Sequence, residues 1–274
     1  MPNLPCEILD HIVGFLHNSQ TPFRNCCLVS KSWIPRARTH LFAEVRFRTA
    51  DSLESWKKTF PRPSTSPTRY TKTLFIYRPQ VVTVKDVQAG YWVNGFPRLV
   101  GLVMVGGGQQ WFPCGWGDTF ALFHGISPVL KSLRVGSGLF PSSQLFDLIF
   151  SFPLLEDLSI TDCYHHTVDF GKGFGGLSTR ARPSSSPMFS GSLELELTRR
   201  GGMEPIGHRL LPALGDMHFR KLILKSSYEE DIPLMTKLVE KCSHTLKSLD
   251  ITHNNSRGTS IGSAFARKYL TPFF

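Results

Sequence analysis

The sequence has no long apolar run. Its longest clear apolar stretch, residues 99–105, is interrupted by Gly101, whereas a membrane-spanning helix needs about 20 apolar residues in succession. The first residues also lack a basic segment followed by an apolar block and a cleavage site, so no secretion signal is recognised. We therefore expect no membrane association and a cytoplasmic or nuclear location.

Paired cysteines are missing as well. None of the cysteines forms a Cys-x-x-Cys motif, the spacing typical of many zinc and redox sites. In a chain without a secretion signal, cysteines are expected to be reduced and to pack as small apolar groups. The six cysteines are Cys6, Cys26, Cys27, Cys114, Cys163 and Cys242.

Motifs of catalysis and cofactor binding are not found either. No helix is predicted directly behind Gly106–Gly108, and Gly171–Gly176 lacks the Gly-Lys-Ser/Thr of a phosphate loop. Cys163, His165 and His166 have no second ligand pair at zinc spacing. No Gly-x-Ser-x-Gly elbow is present, although a hydrolase built from some of the ten histidines stays open as an alternative. The prediction is a protein that is not an enzyme and has no cofactor or metal.

Positive charge is abundant and uneven. The chain has a net charge of +10, and residues 36–85 contain eleven Lys and Arg against three Asp and Glu. One interpretation is nucleic-acid binding. The other is a basic surface that meets an acidic protein partner or simply faces water. We favour the second, because no recognised nucleic-acid motif accompanies the charge.

A short motif recurs along the chain, with an apolar residue, two others, a leucine, one other and a second apolar residue. The leucine and the second apolar residue would lie on one face of a short strand. The intervals between central leucines are 28, 31, 25, 37, 27 and 27 residues, which is the pattern of a leucine-rich repeat. The central leucines are Leu74, Leu102, Leu133, Leu158, Leu195, Leu222 and Leu249.

Helical periodicity lies between these motifs. It is clearest over Ser143–Phe152 and Pro233–Cys242, and weaker over Pro205–Leu214 and Ser260–Leu270. Alternating strands and helices predict an α/β solenoid, with a parallel sheet on its concave side and helices outside. The long interval after Leu158 is interpreted as an inserted loop. The aromatic cluster Trp111, Phe112, Trp116 and Phe120 is interpreted mainly as core, and otherwise as anchors on a binding face.

Within the first forty residues, the sequence predicts a helix with more apolar surface than this segment alone can cover. Over residues 6–17, one apolar row contains Ile8, Ile12, Phe15 and Leu16, and a second contains Leu9 and Val13. A helix that is apolar over more than half its circumference must be covered on two sides. A segment of about 40 residues cannot cover both sides itself. The second cover is then either the rest of the chain or another protein.

Two further helices are expected in this segment. Thr21-Pro22 would open a helix that ends near residue 28, with Phe23, Cys26 and Cys27 facing inward. Ser32 would cap a third helix with Pro35 in its first turn. Beyond it, the sequence predicts a strand over residues 44–48, a helix over 51–60 and a loop over 61–68.

This N-terminal stretch resembles the F-box, and the likeness spans residues 4–45. The matching residues are Leu4-Pro5, Glu7-Ile8-Leu9, Ile12, Leu16 and Val29-Ser30-Lys31-Ser32-Trp33, followed by 34–42 in a form common in fungal F-box proteins. The resemblance implies a three-helix module that docks on the Skp adaptor of a cullin-based ubiquitin ligase. It implies partner contacts by Leu4, Pro5, Ile8, Ile12, Leu16, Val29 and Trp33, although Trp33 also fits a core anchor.

The predicted organisation has three parts. Residues 1–48 form the F-box domain, 49–69 a linker and 70–274 a leucine-rich-repeat-like domain. The predicted protein is a substrate-recognition adaptor that binds the Skp adaptor, through it a cullin, and an unidentified target protein. The alternatives are an interaction scaffold outside any ligase and a basic nucleic-acid-binding protein.

Overall fold

The computed structural model shows an α/β chain built on one eight-stranded parallel sheet. This confirms the α/β class and the parallel sheet predicted from the repeats. No helix in the described part of the chain is long and apolar enough to cross a membrane. The residues that the structure describes are 5–16, 20–61, 66–77, 96–106, 123, 126–136, 142–161, 189–197, 211 and 218–253.

Among the described residues, helices lie in three of the seven intervals between neighbouring strands, so the predicted alternation of strand and helix is seen in part. The helices before the sheet are α1 (Cys6–Gly14), α2 (Gln20–Val29) and α3 (Ile34–Leu41). Those that follow the first strand are α4 (Ala50–Thr59), α5 (Ser142–Phe150) and α6 (Ile232–Cys242). The strands are β1 (Glu44–Phe47), β2 (Thr73–Tyr77), β3 (Gly101–Val105), β4 (Ser132–Gly136), β5 (Asp157–Thr161), β6 (Ser192–Leu197), β7 (Lys221–Ser226) and β8 (Ser248–His253).

The strands lie in the sheet in their order along the chain, and each neighbouring pair is parallel. Parallel neighbours need a connection of a dozen or more residues, which the repeat spacing supplies. One leucine from each of β2 to β8 pairs with the next and forms a single row across the sheet. That row is Leu74, Leu102, Leu133, Leu158, Leu193, Leu222 and Leu249.

The prediction for β6 was wrong by two residues. The motif assigned Leu195 to the leucine row, but Leu193 is the residue that pairs with both Leu158 and Leu222. The leucines at 193, 195 and 197 alternate in the sequence, so the pattern alone allows either register. In the observed register, Asp157 Oδ1 accepts the backbone N–H of Ser192, and the Phe189 ring packs on Phe219 with 5.3 Å between the centroids.

The core lies on the face of the sheet that carries the leucine row. A second row on the same face lies two positions further along each strand. Its residues are also apolar, from Phe47 on β1 to Ile251 on β8. Helices cover this face, as predicted for residues 143–152 and 233–242. Burying each such side chain stabilises the fold by roughly 1.5–3 kcal/mol. The buried helical residues include Leu53 of α4, Leu145, Leu148 and Ile149 of α5, and Met235, Leu238 and Val239 of α6.

A turn with proline at its second position precedes three successive strands. In Phe96–Leu99, Ser127–Leu130 and Phe152–Leu155, the last N–H donates to the first carbonyl at 3.2, 3.4 and 3.3 Å. The fixed φ of proline suits the second position of such a turn. The residue after each proline, which is Arg98, Val129 or Leu154, is exposed to solvent.

The region after the first helices is structured. β1 is the first strand of the sheet, although its residues belong to the predicted N-terminal domain. α4 lies within the predicted linker and begins with a capping box, in which Thr49 and Ser52 each accept the other's backbone N–H at 3.2 Å. A short 3₁₀ helix, Pro67–Tyr70, follows. The division into domains at residues 48 and 69 stays a prediction.

Several predicted features lie outside the described residues. They are the helices over 205–214 and 260–270 except Leu211, the aromatic cluster at 111–120, the loop in the 158–193 interval, and Cys163 with His165 and His166.

Candidate functional site

The N-terminal helices form a small packed unit in which α2 lies against α3. Phe23 and Cys26 of α2 and Ala37 of α3 are buried between them. The Phe23 ring stacks on His40, with centroids 5.3 Å apart and planes inclined by 9°. The predicted inward side of the second helix is therefore confirmed, with Cys27 half-buried beside it.

The start of α3 differs from the prediction. Pro35 lies in its first turn as expected, but the cap residue is Trp33, and no side chain caps the helix. Ser32 instead donates its backbone N–H to Ser30 Oγ at 3.3 Å. Serine hydroxyls commonly form such local bonds with the backbone, in competition with helix capping.

An aromatic cluster joins this helical unit to the sheet. Phe42, which follows α3, meets Trp56 edge-on at 6.0 Å and Phe60 at 6.3 Å. Trp56 in turn meets Phe47 of β1 at 5.7 Å. Such aromatic pairs contribute about 0.5–1.5 kcal/mol each beyond the area they bury. The cluster therefore fixes α3 against the first strand and α4.

Several of the predicted partner-binding residues are exposed. Ile8 and Ile12 lie one turn apart on α1 and are 47% and 38% exposed. Val29, at the end of α2, is 66% exposed. Pro5 is exposed, whereas Leu16 and Trp33 are half-buried, and Leu4 lies outside the described residues. The chain thus leaves Ile8, Ile12 and Val29 open to solvent.

Two further exposed residues were not among the predicted contacts. Phe15 is 71% exposed and Leu28 is 85% exposed. Phe15 follows Ile8 and Ile12 at helical spacing and packs edge-on against His11 at 4.7 Å. The apolar row in the sequence already contained Phe15. Helical periodicity did not identify Leu28 as an exposed residue. Its exposure follows from the packing of α2, which buries the side that contains Phe23 and Cys26.

Exposed apolar side chains are concentrated in this unit. Among the described residues, the large apolar side chains that are exposed elsewhere are Val100, Val129 and Leu154, near the starts of strands. Scattered apolar residues on a surface are ordinary, but a group of them marks an interaction site. The exposed apolar side chains of the first two helices, Ile8, Ile12, Phe15, Leu28 and Val29, are together named here the helical apolar surface.

The face of the sheet opposite the leucine row, called here the open face, carries polar and charged side chains as well as apolar ones. Its central row runs from β1 to β8 and mixes apolar, polar and charged residues. The strands carry five carboxylates and four cations on this face, a net charge of −1 by subtraction, namely Glu44, Asp157, Glu194, Glu196 and Asp250 against Arg46, Arg134, Lys221 and Lys225. The chain's excess of positive charge therefore does not come from the open face of these strands.

Four of these nine charges form ion pairs between strands, and Glu44 and Arg46 form a further pair within β1. Glu194 Oε2 accepts from Ser159 Oγ at 2.7 Å and from Arg134 at 3.2 Å. Lys225 donates to Glu196 at 3.0 Å, and this bond raises the pKa of the lysine, which stays a cation. The guanidinium of Arg46 lies over the Phe75 ring at 4.3 Å.

The described part of the chain offers no evident site of chemistry. No three His, Cys, Asp or Glu side chains of the described residues converge as metal ligands. Burial raises the pKa of the Cys242 thiol to about 11 and also raises that of Cys26, so neither forms the reactive thiolate readily. Comparison of the sequence with protein-family models and with curated proteins gives no match.

Proposed function

We propose that this chain is the substrate-recognition adaptor of a Skp–cullin–F-box ubiquitin ligase. Its first three helices would be the F-box module that docks on the Skp adaptor. The sheet and its covering helices would be an irregular leucine-rich-repeat solenoid that binds a target protein. The chain itself would carry out no chemistry.

The observation that carries this proposal is the helical apolar surface. α1 has nine residues, and a helix of that length is marginal in water without tertiary packing. It nevertheless leaves Ile8 and Ile12 exposed, and Phe15, just after the last residue of α1, continues that row. Burying such a side chain in a partner would contribute roughly 1.5–3 kcal/mol. A partner that covers this row explains why the residues are apolar.

The division between buried and exposed residues supports the resemblance to the F-box. Positions that the motif assigns to partner contact, including Ile8, Ile12 and Val29, are exposed. Residues outside the motif, including Phe23 and Cys26, form the small core. A helical unit whose motif residues were only core residues would show the opposite arrangement.

The strand order supports the repeat architecture. Each repeat contributes one strand, each strand pairs only with its sequence neighbours, and the leucine row is continuous. This is the nearest-neighbour stacking expected of a solenoid. The aromatic cluster around Trp56 would hold the docking helices at a fixed orientation to the strands.

Such an adaptor acts by proximity. Binding the target and the ligase at once converts ubiquitin transfer into a reaction within one complex, at a high effective concentration. The residues of this chain would only bind the target and the ligase and orient them relative to each other. A rigid junction between α3, β1 and α4 serves that role better than a flexible linker.

The test is co-purification of the full chain with the Skp adaptor and a cullin. We expect Ile8→Glu/Ile12→Glu to abolish capture of the Skp adaptor, because two carboxylates would be buried without partners. Val129→Glu/Leu154→Glu is the matched control, since it makes the same change at exposed apolar sites outside the helices. This control should keep normal capture.

The outcomes separate the alternatives. Unchanged capture by the Ile8→Glu/Ile12→Glu variant contradicts the docking surface. Capture of the Skp adaptor without a cullin favours an interaction scaffold outside the ligase. Circular dichroism of each variant shows whether the helices and sheet are intact.

A further inference from the structure

A row of residues marks the edge where the strands begin. Each lies two positions before a leucine of the leucine row. After Lys72, the backbone N–H of each residue donates to the carbonyl of the preceding residue in the row, at 2.7–3.1 Å. Adjacent side chains in this row are therefore about one strand spacing, 4.8 Å, apart. The row is Lys72, Val100, Lys131, Glu156, Gly191, Arg220 and Lys247, and with the preceding turn residues it is named here the strand-start edge.

At one end of this edge, two cations have no ion-pair or hydrogen-bond partner among the described residues. Lys131 and Glu156 are neighbours in the row, and their side chains form an ion pair at 2.7 Å. Arg220 and Lys247 are also neighbours and are exposed, but neither side chain forms an ion pair or hydrogen bond with a described residue. Like charges on adjacent strands repel. An anion bound between them would remove that repulsion.

The middle of the edge carries exposed apolar side chains beside the Lys131–Glu156 ion pair. Val100, Val129 and Leu154 are exposed there, at the starts of β3, β4 and β5. Val129 and Leu154 follow the proline of successive turns, so they occupy equivalent places in adjacent repeats. The edge therefore offers aliphatic contacts on β3–β5 and positive charge on β7–β8.

The aliphatic side chains and the cations of this edge together limit the kind of partner that it can bind. Single-stranded nucleic acid binds on aromatic side chains that stack with bases, and this edge offers aliphatic ones instead. Two copies of this chain that packed through this same edge would place like charges together. A protein segment with apolar side chains followed by carboxylates complements both parts.

We propose that the strand-start edge docks an acidic segment of a protein partner, with apolar side chains on Val129 and Leu154 and carboxylates on Arg220 and Lys247. β5 and β7 are two strands apart, about 10 Å, which an extended peptide spans in roughly three residues. The partner would be the target, so the inference rests on the proposed function for its biological role. The surface itself is separate from the docking helices.

The test is fluorescence anisotropy with the full chain and a short labelled peptide. The peptide has two leucines, a spacer of about three residues and two glutamates. One control peptide replaces the glutamates by glutamine, and another replaces the leucines by serine. Each control should bind about tenfold more weakly or worse, because it lacks one of the two interactions.

Matched variants locate the site. Arg220→Glu/Lys247→Glu and Val129→Asp/Leu154→Asp should each weaken binding by about tenfold or more. Lys58→Glu/Lys237→Glu makes the same change of net charge at exposed lysines on α4 and α6. It should leave the affinity within about twofold, since long-range charge is largely screened at physiological salt.

Three results would overturn the inference. They are no binding of the peptide, equal weakening by the control variant, and tighter binding of a single-stranded oligonucleotide that Arg220→Glu/Lys247→Glu abolishes. If the chain captures the Skp adaptor but does not bind the peptide, only the proposal for the strand-start edge is overturned. A chain that binds the peptide but not the Skp adaptor overturns the proposed function alone.

Discussion

Asp157 Oδ1 accepts two hydrogen bonds from Ser192, one from its backbone N–H and one from its hydroxyl, each at 2.7 Å. The two residues are 35 positions apart and begin the neighbouring strands β5 and β6. This is the longest interval between neighbouring strands of the leucine row. The carboxylate thus fixes the start of β6 where the connection itself constrains it least.

Asp157→Ala should therefore lower the free energy of unfolding. It removes the acceptor for two donors of the partly buried Ser192, and an unsatisfied buried group costs about 1–3 kcal/mol. Urea unfolding measures the change. Asp250→Ala, at an exposed aspartate on β8, is the control and should cost less than about 0.5 kcal/mol. Equal effects of the two substitutions would remove the special role of Asp157.

Gly191→Ala tests the same junction by steric means. A β-carbon at Gly191 would overlap Oδ1 of Asp157 and lie 3.0 Å from the Glu156 carbonyl oxygen. The carboxylate would have to move away from Ser192, at a cost of about 1–3 kcal/mol. Gly14→Ala is the control, because nothing lies within 4 Å of its added β-carbon. If Gly191→Ala unfolds at the wild-type urea concentration, the junction is not tightly packed.

The sequence predicted the regular parts of the sheet because each repeat has its own local pattern. Leu102, Leu133 and Leu158 are identified by spacing alone, and the structure pairs them. The predicted register of β6 was wrong because three alternating leucines fit two registers. The observed register is accompanied by contacts with Asp157 and Phe219, which are distant in sequence and belong to neighbouring repeats.

The surfaces were harder to predict than the core. The excess apolar surface of α1 was visible in Ile8 and Ile12, and both are exposed. Leu28 was missed because exposure depends on which side of α2 packs on α3. The strand-start edge was missed because Arg220 and Lys247 become neighbours only through strand pairing. Tertiary contacts, rather than local periodicity, define these positions.

Phe15 and Leu28 should extend the docking surface beyond the motif residues. We expect Phe15→Ser and Leu28→Ser each to weaken binding of the Skp adaptor by about tenfold, since each removes one side chain that a partner would bury. Both side chains are exposed, so the melting temperature should stay close to that of the wild type. Titration calorimetry with the isolated Skp adaptor measures the affinity.

The control for this experiment is Leu154→Ser, an exposed apolar site near the sheet. It should bind the Skp adaptor normally. Wild-type affinity of both Phe15→Ser and Leu28→Ser would restrict the docking surface to the motif residues. A large fall in melting temperature would instead show that these side chains support the helices themselves.

Cys242 should make stability depend on pH in the alkaline range. Burial raises the pKa of its thiol from 9.0 to about 11. The unfolded chain then loses this proton at lower pH than the folded chain, so the contribution is complete below about pH 9 and is lost as pH rises toward 11. Between about pH 8 and pH 10.5, the loss should be of the order of 1–2 kcal/mol.

Comparison with Cys242→Ala isolates this contribution, because the other titrating groups are common to both proteins. Urea unfolding under a phosphine reductant, at both pH values, should show a smaller loss of stability in Cys242→Ala than in the wild type. Cys27→Ala, at a half-buried site, controls for removal of a thiol. If Cys242→Ala and the wild type lose stability equally, the thiol is not shielded from solvent between α6 and the sheet.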